Sequence, residues 1–422
     1  MRHPPKGTID DVRMRGFLRR QTVEAALSWL DAQLHVLDAE PVPLREAAGR
    51  VLATSVVSDF DVPGFDRATM DGYALVATST EGASTYNVLP IVVIGDSMPG
   101  RPFEGSVLEG QAVRVMTGAP MPPGTDAVLP AEWAAAEPTT ASGATPGCIG
   151  ALMAMSPGKN VGKRGEDIGR GAPVLEAGRV LRPQDVGVLS SIGYGEVEVI
   201  RRPRVRLAIT GNELLPSGSQ PLGFHITDAN GPMLAALAER DGGTVDFPGL
   251  LCDDGDAILE ALHADADVVL VSGGSSVGIE DLAPGIVAQQ GELAVHGIAM
   301  RPSSPTGFGR IGKRLIFLLP GNPVSSLCGY DFFAGRAIRA LGGRPKKWPY
   351  RSVRGRLRRK LSSPIGRLDY ARVKMADGLV EPLSVGGASL LTSTTRADGF
   401  VIVGDDSEGF PAGAEVEVWL YA

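Results

Sequence analysis

Residues 267–281 read Asp-Val-Val-Leu-Val-Ser-Gly-Gly-Ser-Ser-Val-Gly-Ile-Glu-Asp: an apolar, β-branched run stops at a Gly/Ser loop, and two acids follow. A buried strand that delivers flexible backbone to a ligand has this pattern. Glycine lets the chain approach a ligand closely and turn its N–H groups inward, which suits a phosphate or another anion. Glu280 and Asp281 can then hold a hydrated cation, or Asp281 can cap the next helix. Two further small-residue loops follow apolar runs. They are Thr-Gly-Asn-Glu at 210–213 and Pro-Gly-Asn-Pro-Val-Ser-Ser at 320–326. The 272–278 loop has neither the Gly-Lys-Ser/Thr ending of a Walker A loop nor the dinucleotide spacing. One such loop is weak evidence of a site; three on one sheet edge point to a pocket.

The remaining polar candidates each carry a structural alternative. Asp71 in Met-Asp-Gly-Tyr fits a turn, and Asp167 can pair with Arg164 or Lys163. Asp228 fits a helix cap, and Asp253 and Asp254 can begin a helix. Arg-Pro-Ser-Ser-Pro at 301–305 and the basic stretch 344–360 are either solvated surface or an anion-attracting rim. Ser325 and Ser326 have no histidine near them in sequence, which favours hydrogen-bond donors over nucleophiles.

The elements that must position these groups divide the 422 residues into several domains. A helix begins after a Thr22 cap, with Val23, Leu27, Leu30 and Leu34 at helical spacing. Residues 59–167 are dense in Gly and Pro with short apolar runs, an inserted β-rich module, within which 135–145 is a loop. A helical pattern resumes at 182–192, so 20–58 and 168–200 form a discontinuous helical domain, the one the resemblance described below makes a dimerisation domain. From 201 to 343 strands alternate with helices, the signature of a doubly wound parallel sheet in a multidomain α/β protein. Its last helix runs from the 320–326 loop to Leu341. Residues 344–422 alternate polar and apolar positions and form a C-terminal β-domain.

Hydrophobic residues at 43% and charged residues at 21% describe an ordinary soluble globular chain. A formal charge of −7 argues against nucleic-acid binding, and no apolar run approaches the roughly 18 residues of a membrane span. The three cysteines form no CxxC pair and the five histidines no ligand spacing, which argues against a zinc ribbon and for a reduced, cytoplasmic setting.

At these motifs the chain resembles the molybdopterin molybdenumtransferase family, the bacterial relatives of the gephyrin E domain. The match runs from about residue 20 to the C-terminus. It rests on Asp-Val-Pro-Gly-Phe-Asp at 61–66, Met-Asp-Gly-Tyr-Ala at 70–74, Arg-Val-Met-Thr-Gly-Ala-Pro at 114–120 and Arg-Gly-Glu-Asp at 164–167. It continues with Thr-Gly-Asn-Glu-Leu at 210–214, Ser272-Gly-Gly, Gly278 with Asp281, and Leu-Pro-Gly-Asn-Pro-Val-Ser at 319–325.

The resemblance implies insertion of molybdate into adenylylated molybdopterin with release of AMP. It implies a homodimer whose pocket lies between the α/β and C-terminal domains of one subunit and the β-module of the other. Asp281, Asp253, Asp71 and Asp167 are the implied catalytic carboxylates, with Asp281 and Glu280 holding Mg²⁺ at the phosphoanhydride. The implied pterin-nucleotide binders are Thr117, Thr210, Gly211, Ser272, Gly273, Gly274, Ser276 and Gly278. Arg301, Ser304, Pro320, Gly321, Asn322 and Ser325 complete that set. Arg367, Arg372 and Ser393, with Thr392 beside it, are the implied partners of molybdate, a tetrahedral dianion that guanidinium and hydroxyl donors bind well. A molybdopterin adenylyltransferase or acceptor molybdoenzymes are the implied partner proteins.

Three departures stand out. Where the family commonly has Lys-Pro-Gly-Lys-Pro, Arg301 keeps the first charge and Ser304 loses the second. Asn212 stands for a usual Asp, and Ser275 for a usual Val. They keep two rival readings in view. One is a non-catalytic pterin carrier or scaffold. The other is a nucleotide-pyrophosphate hydrolase on the same α/β domain, against which the β-module and C-terminal domain argue.

Overall fold

The computed structural model describes residues 20–136, 147–273, 282–384 and 387–421. They fall into two compact units, one made of residues up to 41, 49–51 and 198 onward, the other of 42–48 and 52–197.

The first unit opens with helix α1 (Val23–Gln33), whose first turn is closed by the Thr22 side chain accepting from the Ala25 N–H. Val23, Ala26 and Leu30 recur at helical spacing and are buried in the core of the α/β domain. That domain is built on a seven-stranded sheet of β1 (Arg204–Thr210), β2 (Thr244–Asp246), β3 (Leu250–Leu251), β4 (Val268–Ser272), β5 (Glu292–His296), β6 (Gly307–Ile311) and β7 (Arg314–Leu319). The order is β2-β1-β4-β7-β6-β5, with β3 also on β1. Pairing is parallel from β2 to β7 and antiparallel from β7 through β6 to β5. The hairpin that brings β5 and β6 to the edge has no counterpart in the alternation read from sequence.

Every residue of β4 is buried, as a central parallel strand requires. Its faces alternate. Val268 and Leu270 join Val205, Leu207 and Phe317 on one side, while Val269 and Val271 join Ala208, Ile316 and Leu318 on the other. Helices α2 (Asn230–Arg240), α3 (Gly255–Leu262) and α4 (Ala283–Gln290) cover the two faces. After β7 come α5 (Pro323–Gly329), a π-helical turn Tyr330–Ala334 and α6 (Gly335–Leu341). The single long helix read from sequence thus contains one wider turn, which carries the fully buried Asp331.

The C-terminal domain is a six-stranded sheet that includes Met300–Arg301 as well as Arg351–Leu357, Leu368–Ala376, Leu379–Ser384, Gly399–Val403 and Glu415–Leu420. Four of the nine basic residues in the 344–360 stretch are engaged by other parts of this unit. Arg344 donates to the carbonyls of Arg240 and Gly49, and Lys346, Arg354 and Arg359 pair with Asp31, Glu415 and Glu381.

The second unit holds another six-stranded sheet, from Gly72–Leu75, Leu89–Ser97, Gln111–Val115, Ala127–Pro130, Ala134–Ala136 and Cys148–Ala151. Gly72 is required where it stands, because a Cβ there would lie 2.0 Å from the Leu129 carbonyl oxygen. The short helices Leu44–Ala47 and Pro183–Ser191 belong to the same unit.

Candidate functional site

The three small-residue loops begin side by side. Ile209 of β1 is in register with Ser272 of β4, and Ser272 with Leu319 of β7. Thr210 and Gly211, Ser272 and Gly273, and Pro320 to Asn322 therefore share the carboxyl edge of the sheet, where open α/β sheets bind ligands. The turns are tight. Gly273 has φ +95, and a Cβ there would lie 2.0 Å from the Thr210 carbonyl oxygen. Asn230 stitches two of the loops, its Nδ2 donating to Ser272 Oγ at 2.9 Å and to the Gly321 carbonyl at 2.8 Å. Asp228 holds Asn230 in place by accepting from the N–H groups of Asn230 and Gly231 at 2.9 and 3.0 Å, so it acts as the cap its position suggests. Asn212 and Asp253 bond reciprocally, Asp253 Oδ2 accepting from the Asn212 N–H at 3.1 Å and Asn212 Oδ1 from the Asp253 N–H at 3.4 Å.

Several polar atoms around this edge are buried without a partner among the described residues. They are Thr210 Oγ1, Asn230 Oδ1, Asp253 Oδ1 and Ser326 Oγ. Buried polar groups are normally satisfied, so their concentration here marks a surface shaped for something polar.

Beside this edge a cleft of about 720 Å³ is lined by Arg20, Arg301, Ser304, Asn322, Ser325 and Arg367, among others. Its cations are organised by Asp369, which is fully buried and pairs with both Arg301 and Arg367, the latter at 3.4 Å. Ser363 Oγ adds a hydrogen bond to the same carboxylate at 2.7 Å. Two guanidinium groups against one carboxylate leave a net positive charge. The 302–306 turn is braced from behind, Ser303 Oγ donating to the Ser325 carbonyl at 2.6 Å with Thr306 Oγ1 also 2.6 Å away. Ser303 itself sits at φ +88, a backbone region that non-glycine residues rarely adopt. Ser304 Oγ is buried with no partner among the described residues.

Arg372 is fully buried inside the C-terminal sheet, in register with Phe400, rather than in this cleft. Ser393 lies on the short helix Thr392–Thr395, its Oγ donating to the Leu390 carbonyl at 2.5 Å. Gly274, Ser276, Gly278, Glu280 and Asp281, and Ser275 among the departures, lie outside the described residues. Among the described residues no group of three or more His, Cys, Asp or Glu side chains is placed to hold a metal ion.

In the second unit Asp71 is exposed and accepts from the Thr117 N–H at 2.7 Å and its Oγ1 at 2.8 Å. These bonds, the backbone one foremost, hold the Asp71 carboxyl below the usual carboxylate range. The motifs at 61–66 and 163–167 meet, Asp61 pairing with Arg164 at 2.6 Å and Asp66 with Lys163 at 2.9 Å. Those two cations are therefore taken, and the pairing of Asp167 with Arg164 or Lys163 read from sequence does not occur. The carboxylate of Asp167 is exposed at the end of the turn.

Two residues that organise the site were missed in sequence. Asn230 reads as a helix cap and Asp369 as part of an Arg-Leu-Asp-Tyr run. What gives each its role is a partner 42 to 91 positions away for Asn230 and 68 for Asp369.

A mostly parallel sheet with polar loops at one edge, joined to a β-rich C-terminal domain and accompanied by a β-rich N-terminal unit, defines a multidomain α/β protein with a ligand-binding sheet edge. Comparison with known proteins agrees. Residues 21–193 match the MoeA N-terminal region (domain I and II), 207–340 a probable molybdopterin binding domain, and 354–421 the MoeA C-terminal region (domain IV). The chain is 33% identical to molybdopterin molybdenumtransferase 2 of Mycobacterium tuberculosis, over 90% of this chain and 94% of that one. It is 30% identical to a molybdopterin molybdenumtransferase of Staphylococcus aureus, over 94% and 95%. The crystal structure of a molybdopterin biosynthesis MoeA protein from Pyrococcus horikoshii superimposes with a TM-score of 0.79 at 33% identity, covering 96% of this chain and 100% of that one. The chain belongs to the molybdopterin molybdenumtransferase (MoeA) family and has a role in molybdenum cofactor biosynthesis. Among the described residues no helix is long and apolar enough to cross a membrane.

Proposed function

We propose that the protein inserts molybdate into adenylylated molybdopterin and releases AMP. The observation that carries this reading is the cleft in which Arg301 and Arg367 share Asp369 beside the loop at Pro320–Asn322. A nucleotide-pterin brings phosphates and molybdate brings a second dianion, and a net-positive cleft next to exposed backbone suits both. The edge loops, through Thr210, Gly211, Ser272, Gly273, Gly321 and Asn322, hold the pterin nucleotide. Arg301, Ser304 and Ser325 face its phosphates, and Arg367 orients the oxyanion. Buried Arg372 supports the sheet behind that oxyanion, and Ser393 supplies a hydroxyl. Asp253 serves as an acceptor at the loop edge.

A divalent cation would supply charge neutralisation at the phosphoanhydride. Asp281 and Glu280 would hold it. A homodimer in which Asp71, Thr117 and Asp167 complete the partner's pocket, and a cytoplasmic location, belong to the same proposal.

The test is AMP release from adenylylated molybdopterin with and without molybdate and Mg²⁺, followed by reconstitution of an apo-molybdoenzyme. Molybdate-dependent AMP release supports insertion. AMP without molybdate identifies a hydrolase, and binding without AMP a carrier. Mixing inactive Asp71→Ala and Arg367→Ala chains restores activity if two subunits share each pocket; a mixture as inactive as its components rejects sharing.

A further inference from the structure

We propose that Arg20 is an oxyanion-binding residue of this cleft, a proposal that rests on the functional reading above. Arg20 lines the cleft with Arg301 and Arg367. Its position is fixed by backbone. The next residue, Gln21, pairs in parallel with Ile298, donating its N–H to the Gly297 carbonyl at 3.0 Å and accepting from the Ala299 N–H at 2.8 Å. The Gln21 side chain adds a bond to the Ala294 carbonyl at 3.2 Å. Arg20 is thereby held alongside the segment that leads directly into Arg301.

The three cations lining the cleft are not equivalent. Arg301 and Arg367 are both committed to Asp369, whereas Arg20 is exposed and pairs with no carboxylate among the described residues. A guanidinium without an acidic partner among the described residues, on a wall whose backbone is pinned, can turn its fork of donors to a ligand. The opposite requirement is visible at Ser304, a neutral side chain in the same cleft whose buried Oγ has no partner among the described residues. The cleft thus recruits a positive charge from the segment before α1. The chemistry Arg20 recognises is a tetrahedral oxyanion, either free molybdate or a phosphate of the nucleotide.

Calorimetric titration of the full chain with molybdate and, separately, with AMP tests this in wild type, Arg20→Ala, Arg20→Lys and the double variant Arg20→Ala/Ser304→Lys. Arg20→Ala weakens binding by about fivefold at low ionic strength, a charge-assisted contact reduced by its exposure. The deficit shrinks as salt is added, and Arg20→Lys recovers most of it. The double variant, which returns a cation to the cleft from another wall, also recovers affinity. A loss confined to molybdate assigns Arg20 to the free oxyanion, and a loss with AMP assigns it to phosphate; both support the proposal. In turnover KM rises while kcat holds. Equal affinities of wild type and Arg20→Ala for both anions at low salt overturn the proposal and leave the functional reading standing if wild type releases AMP. A wild-type protein that binds neither anion and releases no AMP overturns both.

Discussion

Arg301 and Asp369 are partners twice over: they face each other in the parallel register of the C-terminal sheet, and they form an ion pair across it. Backbone pairing presets the distance at which the charges meet, so little side-chain freedom is left to lose. Asp369 is fully buried and also takes Arg367 and Ser363, which makes one carboxylate the hub of the cleft. Asp369→Asn leaves two guanidinium groups without their counter-charge. We expect a loss of about 3 kcal/mol, near the lower end for a broken buried pair because both arginines are partly exposed. Urea denaturation measures it, and molybdate-dependent turnover falls in the same variant.

Gly273→Ala tests the loop edge from the backbone side. The added methyl would enter the Thr210 carbonyl at 2.0 Å, and φ +95 disfavours any L side chain. The 210–213 and 272–273 turns must separate, at about 2–3 kcal/mol. The expected outcome is a lowered urea midpoint with a larger loss of nucleotide affinity than the stability change alone explains.

Asn230→Ala removes both donors that stitch Ser272 to Gly321, leaving the buried Ser272 hydroxyl and the Gly321 carbonyl without them. A cost of about 1–3 kcal/mol is expected. Hydrogen exchange localises it, with protection falling at the loops after β4 and β7 more than in the C-terminal sheet.

Asp331 predicts a pH response away from the cleft. Burial lifts its carboxyl to about 6, opposed by the Arg240 guanidinium and the Tyr350 hydrogen bond and reinforced by the Asp241 carboxylate. In the unfolded chain the group ionises near 3.8, so the folded state holds its proton more tightly. The stability this contributes is complete below that value and is lost as pH rises through about 6, with a slope of up to about 1.4 kcal/mol per pH unit. Asp331→Asn, neutral throughout, gives a flatter curve across that window. Urea midpoints between pH 4 and 7 in the two proteins check it, and parallel curves would remove Asp331 as the source.

How much of this could be read in the chain depended on how local the cause was. The Thr22 cap and the buried apolar strand at 268–271 follow from neighbouring residues, and both are realised. The edge loops show themselves because glycine after a β-branched run has a local reason, which the 2.0 Å clearance at Gly273 displays. The hairpin of β5 and β6 did not stand out, since short apolar runs with glycine do not reveal their pairing partner. The π turn around Asp331 and the dual commitment of Asp369 rest on contacts distant in sequence. Asp167 shows the same limit. Nearby cations looked available to it, but Asp61 and Asp66, about a hundred residues earlier, hold them.

The two-residue strand Met300–Arg301 sets how the chain can be divided. It emerges from the α/β domain yet completes the edge of the C-terminal sheet against Leu368–Asp369. A fragment ending near residue 343 would carry that strand with its N–H and C=O groups unpaired, and a fragment starting near 351 would present the vacated edge to any extended peptide. The α/β and C-terminal domains are separate in sequence, but they cannot be expressed apart without creating two complementary sticky edges.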